Sequence, residues 1–184
     1  IRTLLDWKNY NIVKTDNARF CSLFENCSVL TSAPELPATK LANCCYYFMF
    51  WKCTNLTSAP VLPATTLAVH CYSNMFAECT NLTSAPELPA TTLAVHCYYG
   101  MFSACPKLSS VTMLAPKSEI ETKNNCVLNW LIGTDNSVTR TLKVKNEAAY
   151  KALENNTAYL PENWKIGAKG TTVVDENNAE INIE

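Results

Sequence analysis

Cys27, Cys53, Cys79 and Cys105 fall 26 residues apart, and the chain between them is nearly the same each time. Laid over one another, residues 53–78 and 79–104 agree at 21 of 26 positions, and residues 27–52 and 79–104 at 18 of 26. The shared frame reads C-x-x-L-T-S-A-P-x-L-P-A-T-x-L-A-x-x-C-Y-x-x-M-F. A fixed period of roughly 20 to 50 residues is the signature of a solenoid. One unit cannot bury its own apolar side, and stacked units build a continuous core.

The repeat divides into two halves. From Leu67 the constant apolar positions are Leu67, Cys71, Met75, Phe76, Cys79 and Leu82, at offsets of four, four, one, three and three. Such offsets trace one stripe of a helix. In the other half, Leu56-Thr57-Ser58-Ala59 is short and partly β-branched, and Pro60 and Pro63 stop it. Proline cannot donate to a ladder and belongs at a strand end. The expectation is an α/β solenoid, a leucine-rich repeat with 26-residue coils of short parallel strand, turn and short helix, capped at both ends.

Degenerate, more polar end units are what caps require, because a terminal coil must cover an open apolar face. Residues 1–26 keep Leu4, Leu23 and Phe24 in register and read as an N-terminal capping coil. Residues 27–104 are three repeats, 105–166 a C-terminal capping module, and 167–184 a polar tail or linker, with strand pairing over 171–184 as the alternative. Ala148, Ala149 and Leu153 predict a short helix over 147–155.

The frame resembles the BspA-type leucine-rich repeats of gut and oral Bacteroidetes surface proteins. Met113-Leu114-Ala115, Asn125-Cys126, Asn129-Trp130-Leu131 and Leu160-Pro161-Glu162-Asn163-Trp164 resemble the end module of the same family, so the likeness covers roughly residues 20–166. It departs at residues 1–19 and after Gly167. The resemblance implies a secreted or surface-attached bacterial protein that adheres to host or bacterial partners and has no enzyme activity.

Formal charge is -1, which argues against a nucleic-acid partner, since phosphates call for a basic stripe. No run of about 18 apolar residues suggests a membrane span. The chain opens without a signal-type apolar region and reads as a mature or trimmed product. Gly totals four, with no Gly-rich phosphate loop, and no nucleophile–base–carboxylate set stands out. The expectation is therefore no enzyme, no cofactor and no metal.

Positions that change between repeats mark outward residues, because stacking holds inward ones still. In the helical half they are Asn43, Cys44, Tyr47, Phe48, Trp51 and Lys52, then Val69, His70, Ser73, Asn74, Ala77 and Glu78, then Val95, His96, Tyr99, Gly100, Ser103 and Ala104. They predict an exposed face opposite the Cys-Met-Phe stripe. Tyr47, Phe48, Trp51, Lys52, Ser73, Asn74, Glu78 and Tyr99 are candidate ligand contacts, since aromatic residues anchor interfaces. The rival site is the concave strand face, with Ser32, Ser58, Ser84, Glu35 and Glu87, and Val61 at the position of the two glutamates.

Two cysteine columns are expected, Cys27/Cys53/Cys79/Cys105 and Cys45/Cys71/Cys97, as buried free thiols acting as small hydrophobes. Cys21, Cys44 and Cys126 stand outside them as candidates for a bridge. Cys44, His70 and His96 share one repeat position, but a straight column does not converge on a metal ion. Asn26, Asn55, Asn81 and Asn155 begin Asn-x-Ser/Thr triplets, read as turn residues rather than glycan sites.

The functional expectation is a non-catalytic cell-surface or secreted recognition and adhesion module. Its partner is a protein or glycan on host or other cells, and self-association is a further possibility. The alternative is a structural subunit or spacer in a larger extracellular or virion assembly.

Overall fold

The computed structural model describes residues 15–183. Leu4 and the rest of residues 1–14 lie outside them.

The second half of each repeat is not a helix. Two buried and two half-buried residues alternate with a period of four: Cys45-Tyr46 and Met49-Phe50 face the core, while Tyr47-Phe48 and Trp51-Lys52 lie outward. Every fourth residue enters the left-handed region, with φ of 55°, 55° and 58° at Cys44, Phe48 and Lys52. His70, Asn74 and Glu78 repeat this in the second repeat, and His96, Gly100 and Ala104 in the third.

An α-helix would send each N–H four residues back. Here alternate donors divide the work. Met49 N–H donates to Tyr46 O at 3.2 Å within the repeat, and Phe50 N–H donates to Met75 O at 2.9 Å in the next. The expected short helix is thus replaced by consecutive turns that bond from repeat to repeat. The physical reason is that a strict period of four, with two adjacent inward residues, satisfies the same apolar offsets as a helical stripe. It also leaves half of the backbone donors free to reach the neighbouring repeat.

Repeats lie side by side in register, so equivalent residues form columns. Phe20, Tyr46, Tyr72 and Tyr98 stack at 5.6, 5.9 and 6.0 Å between centroids. Phe24, Phe50, Phe76 and Phe102 stack at 5.5, 5.4 and 5.7 Å. Offset stacks of this kind add about 0.5–1.5 kcal/mol per pair beyond area burial.

The thiol columns sit among these rings, and all ten cysteines are free. Cys53 donates to Phe24 O at 3.0 Å, Cys79 to Phe50 O at 3.1 Å and Cys105 to Phe76 O at 3.1 Å. Each thiol thereby becomes the second donor to a carbonyl of the preceding repeat, which also accepts the N–H of that repeat's own column cysteine or its equivalent, as Phe50 O accepts from Cys53 N–H at 3.1 Å. Cys126, expected outside the columns, extends the Cys45–Cys71–Cys97 file: it is buried, and its carbonyl accepts the Tyr98 N–H at 2.8 Å.

Four parallel strands, β1 (Ser84–Leu88), β2 (Ser110–Met113), β3 (Arg140–Val144) and β4 (Thr171–Val174), form one sheet in chain order. The first two repeats contribute only bridges on this side, such as Ser32 to Ser58. The difference lies in the unit after the third repeat, because it carries Thr112 and Ala115 where the repeats carry proline and so keeps the ladder donors that the first two repeats do not meet. Even in β1, Pro86 coincides with a register shift between Ser84 and Glu87, as expected where a ladder donor is missing.

Ser84 pairs with Ser110, 26 residues on, whereas Ser110 pairs with Thr141 and Thr141 with Thr172, each 31 on. The longer intervals carry α1 (Lys117–Thr122) and α2 (Glu147–Glu154), which pack on each other. The expected helix near 147–155 is α2, opened by Asn146, whose side chain accepts the Ala149 N–H at 3.0 Å.

Residues 167–183, expected as a polar tail or linker or as paired strands, are not a free tail. β4 buries Val173, and the chain turns back so that Ile181 N–H donates to Val173 O at 2.9 Å and Ile181 is buried. The β-branched run Thr171–Val174 supports the strand alternative for this segment, although the residues around it are polar.

Candidate recognition surface

The outward turns of the first repeat carry aromatic side chains, and these touch one another. Phe48 meets Trp51 edge to face at 5.2 Å and Tyr47 at 4.4 Å. Lys52 Nζ lies 4.2 Å from the centre of the Trp51 ring. Glu78 of the second repeat accepts from Trp51 Nε1 at 3.1 Å and pairs with Lys52 at 3.7 Å. Trp51 is therefore held by a carboxylate on its edge and a cation on its face.

The ring chain continues beyond that cluster. Tyr47 leans on His70 at 6.0 Å, His70 stacks on His96 at 4.7 Å with 22° between planes, and His96 meets Tyr99 edge-on at 5.6 Å. Six rings from three repeats make one line. Burial is the larger cause, and the neighbouring His96 the smaller, that holds the His70 imidazole below the ordinary histidine range. Burial likewise raises the Tyr47 phenol, with Cys21, Cys44 and Tyr99 adding to it.

Tyr47, Phe48, Trp51, Lys52 and Glu78 are thus brought together, and Tyr99 joins them through the histidines. All are half-buried rather than fully outward. Ser73, expected as an exposed contact, is fully buried, and its hydroxyl donates to Tyr99 O at 3.3 Å. Its flanking column positions are Tyr47 and Tyr99, which close over a small residue between them. Ala77 is buried for the same reason of size beside Trp51. Asn74 lies over Gly100, whose missing side chain leaves it room: a Cβ there would stand 2.2 Å from Asn74 Oδ1.

On the strand side, Ser32, Ser58, Ser84, Glu35 and Glu87 are exposed as expected. Val61 is 79% exposed between two hollows of about 350 and 340 Å³, bounded by Pro37, Pro60, Pro63, Pro86 and Pro89, with Glu35 at one and Glu87 at the other. The two candidate surfaces are separate.

The sequence places His70 and His96 at one outward repeat position, with Cys44 as the third member. Their shared repeat position was the available signal that they stack. His70 and His96 rings lie face to face, and among the described residues no group of three or more His, Cys, Asp or Glu side chains could hold a metal ion. Burial pushes the Cys53 thiol up to about 11 and the Cys105 thiol up to about 12, so these two stay protonated at neutral pH. Asn81 Nδ2 is committed to Thr54 O at 2.8 Å, part of an asparagine ladder between repeats.

Among the described residues, no helix is long and apolar enough to cross a membrane. The chain matches no protein-family model, no curated protein and no solved structure.

Proposed function

We propose that this chain is a BspA-type leucine-rich-repeat solenoid serving as a non-catalytic recognition module at or outside a bacterial cell surface. It binds a protein or glycan through Tyr47, Phe48, Trp51 and Lys52.

One observation carries the reading. Ser22, Phe48, Asn74, Gly100 and Asn129 share one position and all have positive φ, from 53° to 59°. Small polar residues and glycine suit that backbone, whereas a bulky side chain there costs on the order of 1–3 kcal/mol. Phe48 alone of the five is aromatic, and it stands at the centre of the ring cluster. A strained residue that breaks the local rule is more readily explained by use than by folding. Half-exposed aromatics with a cation beside them are also the usual anchors of interfaces.

The test is a binding screen of the whole chain against a glycan array and immobilised fibronectin, laminin and collagen, with Phe48→Ala/Trp51→Ala alongside. Binding by the wild type and at least a tenfold weaker signal from the double variant is the expected result. Equal binding by both removes the ring cluster from the site. The exposed Val61 between its two hollows favours a second reading, in which the strand side makes the contact. Val61→Glu, which copies the neighbouring repeats, is the variant that would then lose binding.

A further inference from the structure

Neutral pH and mild acid should not leave the ring chain in the same state. His70 and His96 form its middle links, and their rings face each other at 4.7 Å. We propose that this histidine stack is an acid-sensitive joint that holds the Tyr47–Phe48–Trp51 surface in order at neutral pH and releases it in mild acid. Only its consequence for binding rests on the recognition reading above.

The neighbours of the pair give a proton little support. The first repeat presents the Cys44 thiol and the Tyr47 phenol, with Cys21 near the same phenol. The third repeat presents Tyr99, and the segment after α1 presents the Asn125 amide. Glu119, on α1, is already engaged by the Leu93 N–H at 2.8 Å and by Lys123 at 4.0 Å. Lys52 and Glu78 are paired with each other at the far end of the ring chain.

Three costs then fall on a charged stack. The rings repel when both are protonated, since like charges this close disfavour the charged form. His70 Nδ1 is buried without a hydrogen-bond partner, so the charged ring would hold an N–H with no acceptor. Asn125 Nδ2 faces His96 Nε2 at 3.2 Å, an arrangement in which the imidazole accepts. Protonation there requires the amide to turn over.

The backbone makes the consequence local. His70 N–H donates to Val95 O and His96 N–H to Asn124 O, both at 3.2 Å, so each histidine is a rung between repeats. The direction follows from linkage. An unfolded histidine takes its proton near pH 6.5, about where the free side chain does, while folded His70 resists it. Stability is therefore complete above that pH and is lost as pH falls toward the lowered folded value.

The experiment is an NMR titration of the His70 imidazole in the full chain, with thermal unfolding at pH 7.5 and 5.0. The expected midpoint of His70 lies below about 6.5 and rises in His96→Asn, which accepts positive φ. The wild-type melting temperature should fall on acidification by roughly 2–4 °C more than that of His70→Asn/His96→Asn. The wild-type titration stands alone if a variant fails to fold. A His70 midpoint at or above the ordinary value, or an equal acid loss in the double variant, overturns the proposal. No ligand enters either measurement, so a failed binding screen would not be mistaken for failure of the joint.

Discussion

Among the left-handed positions, Gly100 faces two separate demands. Its φ is +59°, and a Cβ would meet Asn74 Oδ1 at 2.2 Å. Gly100→Ala should lower the unfolding free energy by about 2 kcal/mol in urea, from backbone strain and the clash together. Adding Asn74→Gly removes the clash but not the strain, so it should restore part of the loss. An unchanged stability in Gly100→Ala would mean that the turn is not held in this conformation. Neither demand was legible in the sequence, where Gly100 was simply a variable position. Four of the five identities that fill its column, Ser22, Asn74, Gly100 and Asn129, carry the hint, because they are small or polar and suit positive φ; Phe48, the fifth, obscures it.

At the scale of elements, the chain disclosed its period and concealed its backbone. Cys71, Met75 and Cys79 are four apart, and so are Tyr72 and Phe76. On a helix these five positions cover one face; in a turn ladder of period four they fill the two inward places. Apolar spacing cannot choose between them. The choice falls to backbone donors, and Phe50, Phe76 and Phe102 each send their N–H to the next repeat. A short parallel strand is expected in each repeat, but only the third has enough paired backbone for one, and the first two meet at a single bridge, Ser32 to Ser58. The C-terminal residues were harder still. Their 31-residue spacing hides behind two inserted helices, so Cys126 and β4 left the visible register although both serve the same core. Of the candidate surface, the aromatic cluster was legible from variation between repeats. The burial of Ser73 was not, because it depends on the side chains of neighbouring repeats.

For the whole molecule, contacts run mainly between adjacent repeats, so one repeat should be removable as a unit. Deleting residues 53–78 joins Lys52 to Cys79, and the third repeat, which matches the second at 21 of 26 positions, then offers the first nearly the same face. The shortened chain should fold cooperatively with a lower melting temperature. Deleting residues 53–65 breaks the register and should abolish folding. Equal loss in both chains would contradict repeat-by-repeat stacking. On the proposed reading the same architecture divides labour: constant inward residues carry folding, and the outward residues of the first repeat are left for recognition. Equilibrium urea unfolding of Phe48→Asn against the wild type tests that division most directly, since asparagine is what the second repeat places there. Relief of strain, about 1–2 kcal/mol, should offset the lost ring contacts, about 0.5–1.5 kcal/mol each. That division predicts a stability within about 1 kcal/mol of the wild type. A loss of about 3 kcal/mol or more, as for an aromatic residue removed from a core, would make Phe48 a folding residue and contradict it.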